Sequence, residues 1–229
     1  MSSADIRFHP GYVPPMERRS AILYIPEAFD LPTLARAAVG CQGCDLYLRA
    51  TQTVFGEGSE HARVVLIGEQ PGDKEDLQGR PFVGPAGGML DRALHDAGID
   101  RSLAYVTNAV KHFKWELRGK RRIHKKPSER EIEACNPWLL AEMTALHPAA
   151  VVCMGATAAQ AAFGHAVRIH ALRGRFHATR LSAHTIVTIH PSAILRLHAR
   201  PEWRADYERE YAQFVADLKR VRAVVEKKK

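Results

Sequence analysis

Four short apolar runs constrain the fold of this chain more than anything else in it. RVVLIG (63–68), LAYVTNAV (103–110), AAVVCMG (149–155) and TIVTIHP (185–191) are rich in β-branched residues, and each meets a Gly, Asn or Pro at or near its end. A continuous apolar run of this length, closed by such residues, reads as a strand buried on both faces. Helical patterns lie between and around the runs: Leu31 to Val39, Gly87 to Ala97, Ser128 to His147, Ala156 to Phe163, and Pro201 to Val225. Ser128 followed three residues later by Glu131 is a capping box, so a helix starts there. In the last helix Trp203, Tyr207, Tyr211, Phe214, Leu218 and Val221 share one face, the spacing of core packing. Strands alternating with helices predict a three-layer α/β/α fold with a central, mostly parallel sheet. A length of 229 residues suits one well-buried domain, taken as 31–229. Residues 1–30 are Pro-rich and lack periodicity, and are expected to form an extended or loosely packed arm.

Ligands of such sheets sit beyond the carboxyl ends of the strands. Three stretches fall there: GEQPGD (68–73), Asn108, and HPSAILR (190–196), which opens a helix. The first is a glycine-flanked turn but no Walker motif, because no Gly-Lys-Ser/Thr follows. Each residue also has an ordinary structural reading. Asn108 can cap a turn, Phe82 can be core, His190 can be a buried structural histidine, Arg196 a surface arginine, and DKED (73–76) a solvated face.

The formal charge is +8, and it is concentrated. KHFKWELRGKRRIHKK (111–126) holds eight Lys/Arg against the single acid Glu116, so this segment carries almost the whole excess. A polyanion would meet this cationic loop, with Lys120, Arg121 and Arg122 near its tip, although a solvated loop is the commoner meaning of an isolated basic run. No apolar run approaches the roughly 18 residues that span a bilayer, and residues 1–20 contain no signal-peptide core. The expectation is a cytoplasmic protein with no membrane partner. Four cysteines, Cys41 and Cys44 as C-x2-C with Cys135 and Cys153, suit a metal centre better than disulfides in that compartment. Spacing alone leaves zinc and a [4Fe–4S] cluster both open.

GEQPGDKEDLQGRPFVGPAG, YVTNAVKHFK, KRRIH and HPSAILR together resemble the uracil-DNA glycosylase superfamily, over about residues 35 to 220. The four cysteines resemble the iron–sulfur pattern of its family 4. Gln70 in place of the alanine of GEAPG, and the KRRIH insertion, resemble the UdgX group, which binds uracil-DNA covalently. The resemblance implies a [4Fe–4S] cluster on Cys41, Cys44, Cys135 and Cys153. It implies a partner in uracil-containing DNA, single-stranded or with the uracil flipped out, and a monomer is expected. Asn108 would read the O4 and N3–H edge of uracil, Phe82 would stack on the ring, and His190 would donate to O2 as negative charge builds. Glu69 would lie near the scissile bond, either polarising His124 or stabilising the sugar cation. Gln70 and Asp73 would contact the base or the loop, and Arg196 would steady the DNA. His124 would attack C1′, which imidazole does only when neutral, the predominant state at pH 7 for a reference pKa of about 6.5. A turnover hydrolase using water is the first alternative. A non-catalytic, metal-stabilised nucleic-acid-binding module is the second.

Overall fold

The computed structural model describes residues 19–199 and 202–227. A six-stranded sheet runs in the order β1-β3-β2-β6-β8-β7. Its four central strands, β2 (Val64–Gly68), β3 (Ala104–Asn108), β6 (Ala150–Met154) and β8 (Thr185–Thr188), are the four apolar runs. They pair in parallel, whereas β1 (Glu57–Gly58) and β7 (Phe176–His177) close the edges antiparallel. Side chains alternate across each strand, and the two faces feed two cores. Val65, Ile67, Val151 and Val187 pack with α1 (Leu31–Ala38), α4 (Glu129–Leu146) and α5 (Ala156–Phe163). Val64, Leu66, Val152 and Ile186 pack with α3 (Pro85–Ala97), α7 (Pro191–Arg196) and α8 (Trp203–Lys227). The three-layer α/β/α arrangement is therefore present, with α2 (Asp73–Gln78) and α6 (Ile169–Leu172) as short additions.

Ser128 and Glu131 cap α4 reciprocally, as their spacing predicts. Of the N-terminal arm, residues 1–18 lie outside the described residues. From Arg19 onward the chain is packed: a 3₁₀ turn over Ala21–Tyr24 buries Ala21 against the backbone of Gly43. Among the described residues no helix is long and apolar enough to cross a membrane.

The predicted cationic loop is instead a β-hairpin, β4 (Trp115–Arg118) and β5 (Arg121–His124), with Trp115 opposite His124. Gly119 occupies the first position of its two-residue turn at φ 62°, a backbone region that glycine enters without penalty. The expectation that 111–126 presents its charges to solvent also needs correction. Lys111 is wholly buried, donating to Glu142 Oε2 (2.6 Å), Thr107 Oγ1 (2.6 Å) and the Asn108 carbonyl (2.9 Å). Lys114 pairs with Glu131, Lys125 with Glu116, and Arg122 with Asp73 and Asp76. Asp76 is fully buried, so DKED is not merely a solvated face. Arg118, Lys120, Arg121 and Lys126 have no ionic partner among the described residues.

Glu142 is as buried as Lys111 and also accepts from Tyr105 and Thr107. Removing one member of such a pair strands the other charge, whereas replacing both with apolar groups does not. Lys111→Met is therefore expected to cost about 3–5 kcal/mol in urea unfolding. The double variant Lys111→Met/Glu142→Leu should recover most of that loss.

Candidate active site

The parallel register decides which side chains meet. Gly68 pairs with Asn108, so the loop after β2 emerges beside the end of β3. A side chain at 68 has no room: a Cβ there would lie 2.3 Å from Asn108 Oδ1 and 2.8 Å from the Phe82 ring. Phe82 has a φ of 56°, unusual for a bulky residue, and its ring stacks on His190 (centroids 6.1 Å apart, 24° between planes). Gly87 permits that loop shape, since a Cβ would fall 1.7 Å from the Phe82 carbonyl oxygen. Glu75 on α2 steadies the same loop by accepting from the Gly84 N–H at 2.9 Å.

Beyond the strand ends lies a cleft of about 650 Å³. Glu69, Gln70, Phe82, Asn108, His124, His190 and Arg196 all line it. His124 comes from the last position of β5, 47% exposed, and its Nε2 stands 3.2 Å from Glu69 Oε1. The other carboxylate oxygen accepts from Thr157 Oγ1 at 2.6 Å. Burial pushes the Glu69 carboxyl up, but hydrogen bonds from His124 and Thr157 outweigh it and hold the group below its ordinary range. Gln70 clips the base of the hairpin: its amide nitrogen donates to the Lys114 and Lys125 carbonyls, and its oxygen accepts from the Lys114 N–H, each at 3.1 Å. That fixes the residue next to His124 on the chain.

Residues 55–219 match the family described as the uracil DNA glycosylase superfamily. The chain belongs to the uracil-DNA glycosylase superfamily. It is 33% identical over 189 residues to the type-4 uracil-DNA glycosylase of Archaeoglobus fulgidus, covering 80% of this chain and 90% of that protein. The type-4 uracil-DNA glycosylase of Thermotoga maritima is 38% identical over 157 residues, with 68% and 78% covered. That of Pyrobaculum aerophilum is 31% identical over 192 residues, with 81% and 93% covered.

In this member of the superfamily, two of the expected contact residues face elsewhere. Asp73 does not line the cleft but binds Arg122 (2.6 Å), and Arg122 is not free for a phosphate, because Asp76 holds it as well (2.6 Å) and Thr51 accepts from it (3.2 Å). Arg122 also lies over Phe113 and Trp115, anchoring the hairpin to the body. Lys120 and Arg121 are exposed at its tip. Thr157 carried no motif in the sequence, where a Thr one residue into a helix after a Gly-ended strand was the available signal, and Glu75 was read only as part of the DKED face.

The cysteines divide three to one. Cys41, Cys44 and Cys135 gather between the segment after α1 and helix α4. The Cys135 thiol is pushed up by burial and by the charge of Cys44 and Cys41, whereas Cys153 is pushed up, to about 12, by burial alone. Cys153 sits inside the sheet, paired with Ile67 and Val187, so the expectation that it completes the set does not fit. His112 is tied to the segments that carry these three instead. It follows Lys111, whose N–H donates to Cys135 Sγ at 3.2 Å, and its Nε2 meets Thr53 Oγ1 at 2.9 Å. That hydroxyl in turn bonds the Ala38 carbonyl, which also accepts from the Cys41 N–H. Two further N–H groups point at Cys41 Sγ, from Trp138 (3.2 Å) and Gly43 (3.5 Å). Among the described residues no group of three or more His, Cys, Asp or Glu side chains is placed to hold a metal ion. N–H groups aimed at sulfur suit ligands of an iron–sulfur cluster, in which each ligand meets a different iron.

His190 is the N-cap of α7. Its Nδ1 accepts from the Ser192 N–H at 3.2 Å and lies 2.8 Å from the Ser192 hydroxyl, so the proton of the neutral ring belongs on Nε2. Burial lowers its pKa to about 4, against the pull of Glu69. A histidine with a depressed pKa favours unfolding as the pH falls from about 6.5 toward 4, because the unfolded chain takes up the proton first. Nitrogen-detected NMR should show His190 neutral and protonated on Nε2 at pH 5. An imidazolium signal at pH 6 would contradict this assignment.

Proposed function

We propose that this chain recognises uracil in DNA, breaks its N-glycosidic bond, and is left joined to the deoxyribose through His124. The observation that carries the reading is the meeting of His124 and Glu69 at 3.2 Å in the cleft that Asn108 and His190 also line. Family membership supports bond cleavage, and the relatives named above are type-4 uracil-DNA glycosylases. The KRRIH hairpin supports the covalent outcome.

The Asn108 amide presents a donor and an acceptor to an extruded base, enough to accept uracil and reject cytosine. As the C1′–N1 bond breaks, its electron pair leaves on the base, and the Nε2–H of neutral His190 donates to the developing charge on O2. One such donor is worth about 10²–10³ in rate. A ring-nitrogen lone pair of His124 forms the new bond to C1′. The alkylated ring then sheds its remaining N–H proton to Glu69, and the uracil anion takes a proton from solvent. Lys120 and Arg121 meet phosphates at the rim. A turnover hydrolase is the second reading, favoured by the type-4 relatives and by the ability of Glu69 to orient a water in place of the imidazole.

His124→Ala separates the two readings. The expected result is loss of the adduct that survives a denaturing gel, with uracil still released and an abasic site left behind. An adduct persisting in the variant would sink the role of His124, and a wild-type protein that turns over with no adduct would favour the hydrolase.

We further propose a [4Fe–4S] cluster held by Cys41, Cys44 and Cys135, with His112 as the fourth ligand. When bound, it would supply a structural clamp between the segment 41–44 and α4. Anaerobically purified protein should hold about four irons per chain. Cys135→Ser and His112→Ala should lose iron and visible absorbance, and Cys153→Ser should keep both. Loss of the cluster in Cys153→Ser, or full iron in His112→Ala, would reverse the assignment.

A further inference from the structure

Glu69 leaves β2 on a loop, yet its carboxylate is held at both oxygens, by His124 on one side and Thr157 on the other. Thr157 is wholly buried at the second position of α5. Its hydroxyl serves no helix cap: Gly155 is the N-cap, without a side chain, and Thr157 Oγ1 bonds Glu69. The turn that delivers Thr157 is built for closeness. Gly155 has a φ of 94°, and a Cβ there would lie 3.3 Å from His190 Cβ. The positive end of α5, where free N–H groups favour an anion, thus abuts the cleft, with Gly155 and Ala156 in its wall.

We infer that Thr157 is a positioning residue for the reaction: its hydroxyl fixes one oxygen of Glu69 so that the other faces His124 and the reacting sugar. A carboxylate on a loop otherwise has several rotamers, and only one delivers an oxygen to His124. The second consequence is electrostatic. The titratable and charged groups of the cleft are His124 from β5, His190 ahead of α7, Arg196 on α7 and Glu75 on α2. Burial raises the Glu69 carboxyl, and the Thr157 hydroxyl is one of the two donors that offset it. Thr157→Val keeps the shape and removes that donor, so the carboxylate becomes easier to protonate and less well aimed. The inference rests on Glu69 acting in the proposed reaction.

The test is single-turnover uracil release from a uracil-containing oligonucleotide by the full chain, from pH 5 to pH 8. The quantity read is the ratio of variant to wild-type rate, in which titrations common to both proteins largely cancel. For Thr157→Val the ratio should be lower at pH 5 than at pH 8, by up to about threefold, the most that a shift of one pH unit gives for a carboxyl that starts below its ordinary range. Thr157→Ser, which restores the hydroxyl, should return the ratio toward one at both ends. A ratio independent of pH, or a serine variant no better than valine, would overturn the inference while leaving the role of Glu69 intact. Glu69→Gln distinguishes the other failure. If that variant releases uracil at the wild-type rate, the reading of Glu69 falls and the inference about Thr157 falls with it.

Discussion

The site depends on a position that has no side chain. Gly68 ends the central strand β2 in register with Asn108, and the absence of a Cβ lets the Asn108 amide and the Phe82 ring close over that strand end. Parallel pairing then does the rest. β2, β3 and β8 all finish on the same edge of the sheet, so Glu69, Asn108 and His190, far apart in sequence, emerge into one cleft. No single ion pair or hydrogen bond could assemble them. The supporting contacts, Glu75 to the Phe82 loop and Thr157 to Glu69, adjust side chains that the sheet has already brought together.

The hairpin is a second body attached to this frame. Its anchors are polar and specific: Gln70 at the base, Asp73 and Asp76 on Arg122, and the Trp115 indole N–H donating to the Arg49 carbonyl (2.9 Å). Much of the cationic charge that marks the segment is therefore used internally, to hold His124 at the cleft. What remains for a polyanion is a smaller set at the tip, Arg118, Lys120 and Arg121, with Lys126 beyond the second strand. The proposed nucleophile needs this kind of attachment more than it needs a basic surface, because the proposed reaction requires the imidazole to be held within bonding reach of C1′.

The buried strands were legible in the sequence because an apolar run flanked by turn residues has few other uses, and the capping box named the start of α4. The strand-end residues were legible for the same reason: once the sheet is parallel, chemistry at its carboxyl edge converges. The hairpin was obscured by its charge. The alternation in WELR and RRIH around Gly-Lys is a strand signal, but eight cations drew the reading toward a solvated loop. Asp73, Asp76 and Arg122 looked like solvent or DNA contacts because a charge pattern along the chain does not reveal which opposite charge it meets in space. Cys153 was grouped with the other cysteines by their number and by resemblance to the family 4 pattern. Burial inside β6 separates it, and only the folded chain ties His112 to the segments that carry the other three.

The central claim is that the cleft converts one uracil into one covalent protein–DNA bond at His124. The most direct measurement is mass spectrometry of the wild-type chain after reaction with a uracil-containing oligonucleotide, joined to a count of uracil released. The account predicts one uracil per chain, a species whose mass is that of protein plus oligonucleotide less one uracil, and the linkage on the peptide carrying His124. Unmodified protein that has released many uracils per chain would contradict it.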